Sequence, residues 1–349
     1  MARYYGFPRR RKSARRVWAW GVVLVVAGIS AWAILNAVSA DKLPEEIPGV
    51  PRHDPAGTKG SDKTDKSEIP PPVPPPPERR VGTPTQRARA RTDHQKGLQL
   101  LAQDEIIQAR KVLSKALLSG LLPAKDGADV ILKLTELAEK TLFTRKIYPG
   151  DGYAMEYTVR RGEVLERVER RLELHVPWQI LLKVNRVKDA ARIRAGDTLK
   201  MIRGPFHALV YKSIHVMDIY LHRKGLEEVF VKRVPVGLGK EGLTPLGSWR
   251  IGSKLVHPKY YPAPNSPNGS QPIPYGRPGY AFGSKGLWIS LQGTDDKTRS
   301  QTGYGLHSTD KPNSVGKNAS EGCIRLADKD IDLIFALLYE KWSTVVIKP

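Results

Sequence analysis

The rhythm of hydrophobic and polar positions changes several times along this chain. Val17 to Ala40 run for 24 residues without a charge, enough to cross roughly 30 Å of hydrocarbon as a helix. Residues 41–94 then lose any apolar period. Polar flanks surround the run IPPPVPPPPERR at 69–80, which predicts a disordered, proline-rich linker with polyproline II stiffness. Between 95 and 145, Leu98, Leu101, Ile106, Ala109, Leu113, Ala116 and Leu117 recur in three- and four-residue steps. After the break SGLLPAKDG at 119–127, so do Val130, Leu134, Leu137, Ala138 and Leu142. The pattern predicts a helical hairpin, similar to a single tetratricopeptide-type unit and acting as a spacer or docking element.

From 155 to 203 the segments shorten. MEYTVRRGEVLERV reads as a strand, a glycine turn and a helix, VPWQILLKVNRV as a second helix, and ARIRAGDTLKMI as a loop and closing strand, in the order β-α-α-β. Beyond residue 207 the pattern becomes strand-like: HALVYKSIHVMDIYL, EEVFVKRVPVGLG, GSWRIGSKLVH, GLWISLQG and STVVIKP carry β-branched and aromatic residues between turn signals. A proline-rich stretch at 261–279 interrupts them and must be loop. One late helix is predicted over 327–342, with Ile331, Ile334, Phe335, Leu338 and Trp342 on one face and Asp328 as its N-cap. Many short strands with one helix predict a mainly-β sandwich over 207–349.

Charge adds a direction to this architecture. The formal net charge is +22, which favours polyanionic partners. Residues 1–16 hold Arg3, Arg9, Arg10, Arg11, Lys12, Arg15 and Arg16 and no acid. A basic tail before a long apolar run stays in the cytoplasm and sends the rest across the membrane. An uncleaved inner-membrane anchor over 17–40 is the expectation. The alternative is a signal peptide cut after Val38-Ser39-Ala40. Either way residues 41 onward face the periplasm or cell wall, so the expected partner is an envelope polymer or anionic lipid and not nucleic acid. Composition leaves the oligomeric state open.

One cysteine, Cys323, excludes an internal disulfide and a cysteine-based zinc cluster. The eight histidines are scattered without a close pair at zinc-ligand spacing. A lone cysteine is most often a small buried hydrophobe. This one follows Gly322 and lies 16 positions after His307. A thiol at neutral pH needs a nearby base to become nucleophilic, and an imidazole can take its proton and return it to a leaving amine. Ser308 and Thr309 are placed to orient that imidazole, through backbone or hydroxyl. Gly322 permits a sharp turn with backbone N–H groups facing an oxyanion. Arg325 can hold a substrate carboxylate or satisfy carbonyls. Glu321, beside the pair, would raise the thiol pKa and oppose activation.

Two stretches carry family resemblances. Tyr157, Val159, Gly162, Asn185 and Gly196-Asp197-Thr198-Leu199 resemble a LysM domain, with Glu163 where that pattern has aspartate. His307-Ser308-Thr309, Gly316 and Ser320-Glu321-Gly322-Cys323-Ile324-Arg325, with Thr244-Pro245-Leu246-Gly247-Ser248-Trp249-Arg250-Ile251 upstream, resemble the YkuD-type L,D-transpeptidases.

The resemblances imply a multidomain envelope enzyme. Residues 1–16 would be the cytoplasmic tail, 17–40 the transmembrane helix or signal peptide, and 41–94 the linker. Residues 95–145 would form the hairpin, 155–203 a glycan-binding LysM-like unit and 207–349 a YkuD-like β-sandwich. They imply peptidoglycan glycan strands and stem peptides as partners and no metal or organic cofactor. Cys323 would be the nucleophile, His307 the proton donor and acceptor, Ser308 its orienter and Gly322 the oxyanion turn. Arg325, Ser320 and Thr309 would contact substrate. The rival readings are a cysteine hydrolase, which in the wall-cleaving enzymes places Cys before His, a wall anchor with a degenerate site, and a basic polyanion binder.

Overall fold

The computed structural model of the protein describes residues 82–262 and 271–349. The basic tail, the apolar run at 17–40 and the proline-rich run lie outside the described residues. Among the described residues no helix is long and apolar enough to cross a membrane.

The first element is α1 (Pro84–Ala102), inside the segment expected to be a disordered linker to residue 94. Thr83 Oγ1 accepts from Gln86 N–H, the Gln86 side chain accepts from Thr83 N–H, and Pro84 stands at the first helical position. This capping box starts a helix without an apolar stripe. The helix buries little more than Ala90 and Gly97, where an added Cβ would come within 2.5 Å of Leu113. Small residues in close contact leave no hydrophobic period to read.

The expected hairpin is therefore three helices, α1 with α2 (Ile106–Leu118) and α3 (Ala124–Thr141). Asp104, in left-handed conformation at φ 57°, breaks the first two apart. Nor is the unit a free spacer. Ile106, Ile107, Leu113, Val130, Leu134, Leu137 and Tyr148 form a cluster that takes in Phe230 of the distal sheet. Ser114 Oγ accepts from Phe230 N–H at 3.0 Å. Helices thus cover a sheet edge that would otherwise offer open hydrogen-bonding groups. Arg110, fully buried, grips Asp151 through two nitrogens at 2.6 and 3.2 Å and donates to Thr141 Oγ1.

The next unit has the expected β-α-α-β order: β1 (Ala154–Thr158), α4 (Leu165–Arg171), α5 (Trp178–Val184) and β2 (Thr198–Ile202). β1 and β2 are antiparallel with Tyr157 opposite Leu199. Asn185 pins the second helix to β2, donating to Leu181 O and Lys200 O and accepting from Lys200 N–H. Lys200 in turn sends its buried ammonium to the carbonyls of Thr141, Thr144 and Lys146 at the end of α3.

The last unit comprises β3 (Phe206–Tyr211), β4 (Val216–Leu221), β5 (Val229–Pro235), β6 (Leu238–Gly239), β7 (Gly247–Val256), β8 (Leu287–Gly293), β9 (Gly305–Ser308), β10 (Asn318–Ser320), β11 (Ile324–Leu326), α6 (Asp328–Leu337) and β12 (Thr344–Lys348). Eight strands form one sheet in the order β11-β9-β8-β7-β12-β3-β4-β5, and β6 pairs with β10. The pairs β11–β9 and β12–β3 are parallel. The two ends of the sheet meet where Gly237 and Arg325 exchange backbone hydrogen bonds of 2.9 and 2.8 Å. The expected β-sandwich is built as one curled, nearly closed eight-stranded sheet with the β6–β10 pair beside it.

α6 packs against β8 and β9 with Ile331, Ile334 and Phe335 buried. Two details differ from expectation. Ala327, not Asp328, is the N-cap, because the Asp328 carboxylate is taken by Ser284 Oγ. Trp342 lies beyond the helix end and stacks on His175 of the β-α-α-β unit at 3.5 Å. Tyr339 OH donates to Glu169 Oε2 at 3.1 Å across the same contact, so that unit is seated on the sheet domain.

The buried Arg110–Asp151 pair makes a prediction. Asp151→Ala leaves a guanidinium buried without its anion and should lower stability by about 3–5 kcal/mol, while the double change Arg110→Met, Asp151→Ala recovers much of the loss. Chemical unfolding followed by tryptophan fluorescence measures both. A single variant as stable as the parent would contradict the role given to the pair.

Candidate active site

Three neighbouring strands and one turn bring the sequence-predicted residues together. In the parallel β9–β11 pair, Arg325 is the register partner of His307 and Leu326 that of Ser308. Cys323 immediately precedes β11, two residues before Arg325, and the Arg325 charge acts on both Cys323 and His307. Across the antiparallel β8–β9 pair, His307 is opposite Trp288. The motif halves at 307 and 323 meet because adjacent strands align them.

His307 is buried, 4% exposed. Its Nδ1 lies 2.5 Å from the carbonyl oxygen of Ser308. A carbonyl only accepts, so Nδ1 carries the proton and Nε2 keeps the lone pair. The Ser308 hydroxyl turns away and donates to Phe282 O. Phe282 and Trp288 pack on the imidazole, with ring centroids 4.9 and 5.7 Å from it. Burial drives the His307 pKa down to about 4; the Ser308 bond pulls it upward and Arg325 pushes it further down.

Cys323 is partly exposed. Its Sγ faces the Gly303 carbonyl at 3.6 Å. Burial of the sulfur pushes the thiol up to about 11, against the opposing pull of the Gly305 N–H and of Arg325. The resting pair at neutral pH is therefore a thiol and a neutral imidazole.

The turn before Cys323 is built from the inside. Gly322 has φ 122°, and an added Cβ would lie 2.7 Å from Tyr304 Cε1 and 2.9 Å from Leu243 O. Only glycine fits there. Its N–H donates to Ser320 Oγ at 3.1 Å, and Ser320 Oγ donates to Cys323 O at 2.6 Å. Two expectations change accordingly. Gly322 N–H is committed within the turn and is not an open oxyanion donor. Ser320, 2% exposed, braces the turn and does not face substrate. Thr309 is also turned inward: it is buried, and its Oγ1 accepts from Lys311 N–H at 3.1 Å.

Arg325 reaches Ala319 O at 3.4 Å through Nη1, and its buried Nε has no partner among the described residues. Glu321 points elsewhere. Its carboxylate, 67% exposed, pairs with Lys240 Nζ at 3.0 Å, which removes the objection that it suppresses the thiolate.

The sequence reading left Thr244 as a motif letter. Here its buried hydroxyl accepts from Gly239 N–H at 2.7 Å and donates to Gly322 O at 2.9 Å, clamping β6 to the nucleophile turn. No motif marks Phe282 or Trp288: Trp288 meets His307 through the β8–β9 register, and Phe282 reaches it from the loop before β8. The flanks of the proline-rich stretch are ordered against this wall: Tyr260 pairs with Ile273, and Tyr280 and Phe282 join them in one cluster. Residues 263–270 lie outside the described residues.

In the smaller unit, Glu163 is a structural cap. Tyr157 OH, Arg160 N–H and the Arg171 guanidinium all converge on its carboxylate, and they hold its pKa low. Glutamate does at this turn what a shorter acid does by direct reach. Among the described residues, no group of three or more His, Cys, Asp and Glu is placed to hold a metal ion.

Comparison with known proteins matches residues 206–347 to the L,D-transpeptidase catalytic domain YkuD and residues 157–201 to the LysM domain. A YkuD protein of Bacillus licheniformis, named provisionally as an L,D-transpeptidase, is 28% identical over 199 residues, 55% of this chain and 98% of its own length. The similarly named YqjB of Bacillus subtilis is 32% identical over 133 residues, 38% of this chain and 65% of that protein. A solved L,D-transpeptidase from Mycobacterium smegmatis aligns at 15% identity and a TM-score of 0.31, over 44% of this chain and 64% of its own. The chain thus spans less than two thirds of that structure, a likeness too slight to add to the site geometry.

The clamp at Thr244 is testable. Thr244→Val strands two buried backbone groups and should cost about 1–3 kcal/mol, with a changed rate of Cys323 alkylation by iodoacetamide. Thr244→Ser should keep both properties near the parent. A valine variant with parental stability and thiol reactivity would show that other contacts hold the turn.

Proposed function

We propose, for a chain whose residues 206–347 are a YkuD L,D-transpeptidase catalytic domain and whose residues 157–201 are a LysM domain, that Cys323 transfers an acyl group between peptidoglycan stem peptides. The observation that carries this reading is Arg325, paired in register with His307 and acting on Cys323 as well, with the His307 tautomer fixed by Ser308 O.

In the proposed cycle, Cys323 Sγ attacks the carbonyl carbon of the third stem residue while its proton passes to His307 Nε2. The tetrahedral intermediate collapses, the bond to the terminal D-alanine breaks, and the departing amine takes that proton. An acyl thioester remains on Cys323. An amine of a second stem, or a free D-amino acid, then attacks the thioester and gives its proton to His307, which returns it to the leaving sulfur. The outcomes are a 3→3 cross-link or exchange of the terminal residue, and water as acceptor would give hydrolysis.

The buried imidazole favours this concerted proton path. Separate charges are costly in a dry site, but moving one proton from sulfur to imidazole creates two opposite charges side by side. The Ser308 carbonyl stabilises the imidazolium that forms. Arg325, with its unpartnered Nε, suits a substrate carboxylate and helps hold the thiolate. Thr244, Ser320 and Gly322 act as positioning residues for the turn.

The LysM domain supports the cell wall as the place of action. Within the same proposal, residues 17–40 anchor the chain in the inner membrane, and the proline-rich linker carries the remainder toward the wall.

Released D-alanine and dimeric product from disaccharide tetrapeptides test the reading. Cys323→Ala and His307→Gln should each lower turnover by about a thousandfold or more. The pH profile of kcat/KM follows from the signs of the shifts. Activity requires a neutral His307, so it should rise as pH passes about 4 and then hold level to pH 9, because the thiol titrates only near 11. An acid limb near pH 7 would point instead to a preformed ion pair and contradict the neutral resting state.

A further inference from the structure

We infer that the LysM domain of this chain selects glycan strands that bear the carboxylates of stem peptides over neutral N-acetylglucosamine chains. The inference rests on the glycan-binding reading of that domain. It adds the charge class of the ligand.

The loop between α5 and β2 forms a cleft of about 390 Å³ lined by Arg186, Val187, Lys188, Arg192, Ile193 and Asp197. Two aliphatic side chains give it a floor on which a sugar ring can lie. Three of the four polar walls are cationic. Arg186, Lys188 and Arg192 are exposed and enter no ion pair among the described residues.

The two neighbouring acids offset only part of this charge. Asp197 accepts from Arg194 N–H at 2.8 Å and Asp189 from Ala191 N–H at 2.9 Å, so both carboxylates face backbone donors of their own turns. The opposite loop adds charge of the same sign. Val159 and the Gly196–Asp197 turn exchange two backbone hydrogen bonds of 2.9 Å. These bring Arg160 and Arg161, both exposed, beside the cleft. Its one acid, Glu163, is bound to Arg171 at 2.7 Å. The rim therefore joins Arg160, Arg161, Arg186, Lys188, Arg192 and Arg194 against Asp189 and Asp197.

A neutral sugar chain would leave these cations without counter-charge. A strand whose lactyl groups carry stem peptides presents free carboxylates on either side of the sugar backbone. Aliphatic floor and cationic rim together match that ligand. Binding by this rim would deliver the stems themselves to the domain that acts on them, and not bare glycan.

Titration calorimetry on the full chain tests the inference with two probes, chitohexaose and disaccharide-tripeptide oligomers. At low salt the stem-bearing strands should bind about tenfold tighter, and the triple change Arg186→Gln, Lys188→Gln, Arg192→Gln should bring the two affinities together, weakening stem-bearing strands far more than chitohexaose. Added salt should erode the same preference, because exposed charges are screened. Equal affinity of the parent for the two probes overturns the inference and leaves the glycan reading intact. Binding to neither probe overturns the glycan reading itself. Equal binding to phosphatidylglycerol vesicles and to stem-bearing strands would show an unselective anion surface and overturn the assignment to stems.

Discussion

The parallel register of β9 and β11 is the constraint on which the site depends. It sets Arg325 against His307 and so brings Cys323, 16 positions after His307 in sequence, under the same Arg325 charge. Short strands do not hold such a register alone. Gly237 locks β11 to the far end of the sheet, and Thr244 ties Gly239 to Gly322. The curl that brings the two ends of the sheet together is thus the same feature that positions Cys323. Ser320 then fixes the last degree of freedom by bonding both sides of the turn.

The surrounding units extend this order outward. The three helices cover β5 through Phe230 and Ser114, and their own union depends on the buried Arg110–Asp151 pair. Lys200 joins the LysM domain to the end of α3, while Trp342 and Tyr339 join it to the catalytic domain. Helices, β-α-α-β unit and sheet domain are therefore linked by hydrogen bonds and a ring stack at their junctions. The helical unit contributes rigidity there.

Much of this could be read from the sequence, for reasons visible in particular residues. The strands from 207 onward carry β-branched residues at regular intervals, and the helices from 106 onward carry apolar residues at helical steps. His307 and Cys323 stood out because their chemistry is rare and their spacing fits a motif. What escaped was whatever depends on contacts distant in sequence. α1 has a clear starting signal in Thr83-Pro84-Thr85-Gln86, but its buried face is Ala90 and Gly97, so periodicity gave no hint. Ser320 looks like a substrate contact until the turn is seen to fold around it. Glu321 looks harmful to the thiolate until Lys240, 81 residues earlier, is found beside it. Trp288 acquires meaning only once β8 and β9 are paired, and Phe282 only once the loop before β8 is placed.

The central claim is that Cys323 becomes covalently acylated through a proton handed to His307. Intact mass spectrometry of the protein mixed with a tetrapeptide donor, followed by peptide mapping, tests it most directly. The expected result is a transient adduct on Cys323 equal to the donor less its terminal D-alanine, absent from the His307→Gln variant. Turnover without any adduct on Cys323, or an adduct that forms equally well without His307, would contradict it.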